Sequence, residues 1–329
     1  MLLKRSWRSL IERAVFREGL LEKEEFYFIV NPAAKNRGSL KIWRKIKNYL
    51  DRENMEYQYR YTEYVGHACE ITKEILNRKS DSLIIAVGGD GTIHEVVNGA
   101  AEYKNARISY IPAGSGNDFS RGYRINKNPI KALENLYRNS QQMTPIDLGF
   151  YKTDKKGYFI SSLGMGLDAT VTKVVNESKI KYYFNKLGAG KLVYLYFFFI
   201  KWMTYKPIDV SLSIDGSELN FKKVWLVTIS NQPYFGGGIK ISPNSKPDDG
   251  LFHIIVVHNI SRMKLILMFV TVVWGGHLKI RGVEELKGKQ IKLSSEQPAL
   301  IHADGDYIGD YKTVVDMHHH KVNIAALGE

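Results

Sequence analysis

The segment Leu83-Ile84-Ile85-Ala86-Val87-Gly88-Gly89-Asp90-Gly91-Thr92 constrains this chain more than any other stretch of it. Five consecutive apolar residues read as a strand covered on both faces, the habit of a parallel sheet. Gly88, Gly89 and Gly91 then allow positive φ and let backbone N–H groups come close to an anion. Asp90 sets a charge among them. Thr92 and the following Ile93-His94-Glu95-Val96-Val97-Asn98 read as a helix start, whose first N–H groups and dipole favour negative charge. Neither G-x-x-x-x-G-K-[ST] nor G-x-G-x-x-G fits this turn, so a P-loop and a Rossmann dinucleotide turn are both set aside.

The rest of the first half repeats the strand-then-helix pattern. Phe26 to Val30 reads as a strand ending at Asn31-Pro32, and Ile42, Ile46, Tyr49 and Leu50 recur at helical spacing. Glu56 to Thr62 gives a second strand before a helix from His67 to Leu76. Ile108 to Ile111 is a further strand, running into Pro112-Ala113-Gly114-Ser115-Gly116-Asn117-Asp118-Phe119. This order predicts an α/β domain with a parallel sheet, helices on both faces, and ligands beyond the carboxyl ends of the strands. On that edge Asn31, Thr62, Gly88, Gly89, Asp90, Gly91, Thr92, Ser115, Gly116 and Asn117 would surround one nucleotide. Lys35-Asn36-Arg37 reads as an exposed basic loop.

After about residue 145 the pattern changes to short alternating runs such as Val210 to Ile214, Val224 to Ser230 and Leu251 to Val257, which predict a mostly antiparallel β domain. An apolar, aromatic stretch from Lys191 to Lys201 and a helix from Met263 to Trp274 interrupt it. The expected organisation is an extension over 1–24, a nucleotide-binding domain over 25–145, and a β-rich domain over 146–312. The last strand, within 313–329, returns to the first domain.

Charge and cysteine content narrow the setting. The net charge is +13, and Cys69 is the only cysteine, so an internal disulfide or a cysteine zinc cluster is excluded and a reducing cytoplasm fits. No zinc-finger spacing or RNA-recognition signature accompanies the basic charge, which favours an anionic membrane surface over nucleic acid. Leu3, Trp7, Leu10, Ile11, Ala14 and Val15 share one helical face, with Lys4, Arg5, Arg8, Arg13 and Arg17 supplying charge, as in an interfacial helix; packing on its own domain is the other reading. The apolar runs are well short of the ~20 residues that cross a bilayer. His67, His94 and the run His318-His319-His320 lack a second ligand pattern at metal spacing, and the triplet reads as a solvated turn before a strand.

Gly-Gly-Asp-Gly-Thr at 88–92 resembles the signature of the diacylglycerol kinase, sphingosine kinase and NAD kinase superfamily. The second half sharpens this. Ile229-Ser230-Asn231-Gln232-Pro233-Tyr234-Phe235-Gly236-Gly237-Gly238, followed by Pro243-Asn244-Ser245-Lys246-Pro247-Asp248-Asp249-Gly250-Leu251, resembles the bacterial diacylglycerol kinase-like lipid kinases, with Ser245 where the family has alanine. Asp147-Leu148-Gly149, Gly164 to Ala169 and Asp304-Gly305-Asp306 resemble further family segments in the same order. The likeness covers about residues 25 to 325, and NAD kinases would not predict Gly236 to Leu251.

The resemblance implies a cytoplasmic enzyme at the inner membrane face that moves the γ-phosphate of ATP to the hydroxyl of a diacylglycerol-like lipid, with Mg²⁺ near Asp90. It implies a second, structural metal held by the Asp249 carboxylate and the carbonyls of Lys246 and Leu251, and a homodimer. The family pattern Asp-Gly-Glu places the general base at Asp304-Gly305-Asp306. Asp306 stands where the family has glutamate, which leaves Asp304 and Asp306 as the two candidates. The rival readings are an NAD kinase-like enzyme on a soluble substrate and a lipid-binding protein without catalysis.

Overall fold

The computed structural model describes residues 25–178, 180 and 192–325. The amphipathic stretch over 1–24 and the start of the 191–201 run lie outside them.

Four strands, β1 (Phe26–Val30), β2 (Gln58–Tyr61), β3 (Leu83–Gly88) and β4 (Arg107–Pro112), pair in parallel in the order β2-β1-β3-β4. Their register aligns Tyr61 with Val30, Val30 with Val87, and Gly88 with Pro112, so all four end at one level. Alternate residues of the sheet feed two cores. Ile29, Ile84, Ala86 and Ile108 pack under α2 (His67–Arg78) and α3 (Asp90–Ala100). Phe28, Val30, Ile85, Val87 and Ile111 pack under α1 (Gly38–Arg52) and α5 (Pro129–Arg138), with α4 (Asp118–Gly122) between β4 and α5. Every residue of β3 is buried, as its unbroken apolar sequence requires.

One local expectation is corrected. Helix α3 begins at Asp90, two residues before Thr92, with Gly89 as an extended N-cap that offers no side-chain hydrogen bond. Asp90 therefore stands at the positive end of the helix dipole, where a carboxylate is favoured and raising the helix start shortens the turn.

The second half is antiparallel: β5 (Met143–Lys152), β6 (Lys156–Phe159), β7 (Ser162–Gly166), β8 (Ile208–Ile214), β9 (Ser217–Ser230), β10 (Phe252–His258), β11 (Val283–Gly288), β12 (Gln290–Ser294), β13 (Leu300–Ala303) and β14 (Asp306–Asp310). The long last strand β15 (Lys312–Ala325) joins the halves. It pairs antiparallel with β5 and β12, and its end lies parallel to β4 through Asn323 and Ile324. Among the described residues fifteen strands share one hydrogen-bonded sheet.

One face of the second half is sealed by its own apolar residues. The other is covered by α6 (Leu167–Glu177), α7 (Leu192–Thr204) and α8 (Arg262–Thr271), which enclose Leu226, Ile241, Val257 and Leu265. Among the described residues no helix is long and apolar enough to cross a membrane.

The histidine run is a second correction. His318, His319 and His320 lie inside β15, at a bulge between His318 and Val322, with His320 at φ 48°. The bulge turns the run toward Asp147, a partner too distant in sequence to be read from spacing.

Candidate active site

The parallel strands end in loops that meet on one edge. The Asn31 amide donates to Val87 O and the Thr62 amide to Val30 O, so Asn31 stands beside the end of β3 and Thr62 beside the end of β1. Asn31 Nδ2 donates to Thr92 Oγ1 at 3.1 Å. The two glycine turns touch directly: a Cβ at Gly114 would lie 2.4 Å from the Gly89 Cα, and one at Gly116 would lie 2.7 Å from Asp90 Oδ2. The structure thus brings Asn31, Thr62, Gly88, Gly89, Asp90, Gly91, Thr92, Ser115, Gly116 and Asn117 to one edge, where the start of α3 presents backbone N–H groups. Gly91 faces open space. Gly114→Ala is expected to push the turns apart, destabilising by about 1–3 kcal/mol and raising the Kd for nucleotide at least tenfold, which calorimetric titration measures.

Asp90 and Asp118, one from each glycine turn, are neighbours here. Asp90 Oδ1 accepts from the Phe119 amide at 3.0 Å. Asp118 Oδ1 lies 2.6 Å from Arg121 Nη1, and its Oδ2 accepts from the Gly237 amide at 2.6 Å. Burial, reinforced by the charge of Asp118, pushes Asp90 up to about 6. Two crowded carboxylates beside the glycine turns fit a divalent cation, which would supply the charge that neither finds in the other. The Asp118 bond also ties this edge to the triple-glycine turn, where Gly236, Gly237 and Gly238 all have positive φ.

Helix α3 carries a second group one turn below Asp90. His94 Nδ1 lies 2.8 Å from Asp304 Oδ2, and its Nε2 lies 4.0 Å from Asp306 Oδ2. The i, i+4 spacing of Asp90 and His94 was the only sequence signal for this placement. The two aspartates of the turn differ sharply. Asp304 is buried, and its carboxylate also accepts from the Ile160, Ser161 and Ser162 amides at 2.8, 2.8 and 3.0 Å. Burial alone would raise its pKa, but the His94 hydrogen bond and these amides hold it below the ordinary value. The side chain of Asp306 is 62% exposed. For His94, burial favours the neutral ring, yet the Asp304 bond and the nearby acids raise its pKa overall.

A cavity of about 360 Å³ opens between these groups. Asp90, Asp118, Ser161 and Asp304 stand at its polar end. Tyr194 and Phe198 of α7 and Leu265, Met268 and Phe269 of α8 line the rest. Its size and its mostly apolar lining suit a small amphiphile. Lys35, Asn36 and Arg37, by contrast, occupy three successive left-handed positions at φ 52°, 51° and 66° in the loop before α1.

The expected metal loop lies elsewhere. Asp147 clamps it, with the Asp147 amide donating to Pro247 O and Asp147 Oδ2 accepting from the Gly250 amide. Lys246, Asp249 and Leu251 share this loop, and Asp249 Oδ1 accepts from the Leu251 amide at 3.1 Å. Beside it Asp147, His319 and His320 offer ligand atoms within 4.8 Å of one another, so the histidine run does have an acidic partner.

Comparison with known proteins identifies the family. Residues 25–151 match the diacylglycerol kinase catalytic domain, and residues 161–326 match the YegS C-terminal NAD kinase beta sandwich-like domain. YtlR of Bacillus subtilis, provisionally named a lipid kinase, is 33% identical over 291 residues, covering 86% of this chain and 94% of that one. The diacylglycerol kinase of Bacillus subtilis is 29% identical over 288 residues, covering 85% and 89%. A solved Bacillus anthracis structure, provisionally described as a diacylglycerol kinase, shares the fold with a TM-score of 0.74 at 23% identity, over 92% of this chain and 95% of that one. Two matched domains in this order, joined around one cavity by α3 and the Asp304 turn, make the chain a member of the diacylglycerol kinase-like family of lipid kinases.

Proposed function

We propose that this lipid kinase transfers the γ-phosphate of ATP to the hydroxyl of diacylglycerol, or of a closely related lipid, giving phosphatidic acid or its analogue. The observation that carries the reading is the cavity, polar where Asp90, Asp118 and Asp304 stand and apolar along α7 and α8. A lipid alcohol would place its acyl chains along the helices and its hydroxyl at the acidic end.

Phosphoryl transfer needs positioning and charge stabilisation more than covalent help. The turn at Gly88 to Thr92, with Asn31, Thr62 and Ser115 to Asn117, would receive the phosphates. Mg²⁺ near Asp90 and Asp118 would offset the charge on the phosphates. Asp304, with its oxygens already engaged, orients His94 and braces the turn. Asp306 is the carboxylate free to accept the proton of the attacking hydroxyl. A structural metal at Asp249, with the carbonyls of Lys246 and Leu251, would stiffen the loop that Asp147 grips.

The acceptor would enter from a bilayer. Outside the cavity mouth α7 exposes Phe199 and Met203, α8 exposes Leu267 and Val270, and the 3₁₀ turn after it (Val272–Trp274) exposes Val273 and Trp274, with Leu267 and Trp274 each 65% exposed. No acidic residue occurs between Asn259 and Val283, whereas Arg262, Lys264, Lys279 and Arg281 do. Apolar tips in a stretch whose only charges are cationic match an anionic leaflet. Burial of one such side chain contributes ~1.5–3 kcal/mol. Leu267→Glu with Trp274→Glu is therefore expected to weaken binding to phosphatidylglycerol vesicles more than tenfold, leaving turnover of soluble dioctanoylglycerol nearly unchanged. Sedimentation with vesicles and a micelle-free assay measure the two.

The acceptor itself is tested by offering diacylglycerol, phosphatidylglycerol, a polyprenol and NAD in parallel with labelled ATP. Label in diacylglycerol at the highest kcat/KM supports the reading, and preferential label in NAD would overturn it.

A further inference from the structure

Next to the proposed metal loop stands a nitrogen atom for which phosphoryl transfer has no use. The His253 side chain is fully buried on β10. Its Nδ1 lies 2.8 Å from Glu285 Oε1, and Glu285 Oε2 accepts from Asn244 Nδ2 at 2.8 Å. With the ring proton directed at Glu285, Nε2 presents a lone pair, and this buried atom has no hydrogen-bond partner. Facing it at 4.0 Å is Asp249 Oδ2. Ser230, its direct partner across the ladder, has a buried hydroxyl that is also without one.

Two electron-rich atoms 4.0 Å apart are too far for a hydrogen bond. A cation with bonds of about 2.0–2.2 Å to each would hold them about 3.4 Å apart at a tetrahedral angle and about 4.2 Å apart in line, so binding would draw the two atoms together by roughly half an ångström in the tetrahedral case. Both atoms are also held in place: Asp249 through Oδ1 on the Leu251 amide, and the imidazole through Glu285, the carboxylate–histidine arrangement that backs metal-bound imidazoles. The neighbouring group of Asp147, His319 and His320 is the rival site, but its two histidines are exposed and its carboxylate already accepts from the His320 amide, His319 Nδ1 and the Gly250 amide.

We propose that the metal held at Asp249 takes His253 Nε2 as a ligand, so that this chain's loop selects a transition ion of the manganese-to-zinc series over magnesium. The proposal rests on the reading of Asp249 as a metal residue. Imidazole suits these ions, whereas magnesium prefers oxygen and water. His253 would be a binding residue of the loop and would take no part in phosphoryl transfer.

The test is electron spin-echo spectroscopy of Mn²⁺ bound to the full chain, together with Mn²⁺/Mg²⁺ competition. Wild type is expected to show nitrogen hyperfine modulation from a directly bound imidazole. His253→Gln is expected to keep the folded state's far-ultraviolet circular dichroism but lose the modulation, and its preference for Mn²⁺ should fall about tenfold. Glu285→Gln, outside the buried core, should weaken Mn²⁺ binding about 10–100-fold. His319→Ala with His320→Ala should leave the modulation intact. Mn²⁺ binding that depends on Asp249 but shows no nitrogen coupling in wild type would overturn the histidine ligand and keep the loop-metal reading. Binding indifferent to Asp249→Asn would overturn both, and modulation that vanishes with His319 and His320 would overturn the proposal by placing the ion on that cluster.

Discussion

Asp90→Asn is expected to lower kcat/KM about 10²–10³-fold and, in the same protein, to raise the stability of the nucleotide-free state. The loss follows from removing a carboxylate at the start of α3, where the phosphates and their cation are proposed to gather. The gain follows from its titration. Burial and Asp118 raise Asp90 from 3.8 to about 6 in the folded protein, so between these values the folded state holds a proton that the unfolded chain has released. Stability then falls as pH rises through that window. Asparagine, always neutral, escapes the penalty. The variant should match wild type near pH 4 and exceed it above pH 6 by about 1–3 kcal/mol, the upper limit being reduced by the partial solvent access of the site. Urea melts at pH 4.5 and 7.5 measure this. Equal stability at both would mean that Asp90 bears no strain of this kind.

The aspartates of the 304–306 turn are expected to separate rate from stability. Asp306→Asn removes an exposed carboxylate with little packing, so kcat should fall about 10²–10⁴-fold while stability stays within about 0.5 kcal/mol of wild type. Asp304→Asn replaces an acceptor of three amides and a histidine by a group that turns N–H toward at least one of them. A loss of about 2–4 kcal/mol is expected above pH 5. Because the folded pKa of Asp304 is depressed, that contribution is present at neutral pH and is lost as pH falls through the depressed value. Denaturant titration with single-turnover kinetics on the two variants separates the roles. A folded but inactive Asp304→Asn alongside an active Asp306→Asn would exchange them.

Much of this was legible because the informative residues are neighbours in sequence. The apolar run Leu83 to Val87 announces a strand with both faces covered, and the glycines after it mark the strand-to-helix junction, although only Gly89 lies outside both elements. The Gly236–Gly238 turn and the Asp249 loop are local in the same way. What stayed hidden depends on contacts between distant segments. His94 meets Asp304 across 210 positions, and Asp118 meets Gly237 across 119. Neither residue alone carries a pattern. The histidine run differs from its expected place for the same reason: His319 and His320 are exposed as expected, but the run lies inside β15, where a bulge sets it against Asp147. The proposed choice of Asp306 over Asp304 likewise rests on burial and amide geometry, which two identical side chains cannot express in a sequence.

The most direct test of the proposed chemistry is a crystal structure with a non-hydrolysable ATP analogue and dioctanoylglycerol. The account predicts the triphosphate on the Gly88–Thr92 edge, acyl chains between α7 and α8, and the lipid hydroxyl about 3 Å from the Asp306 carboxylate and facing the γ-phosphate. A hydroxyl bound away from Asp306, or a nucleotide seated off the glycine turns, would contradict it.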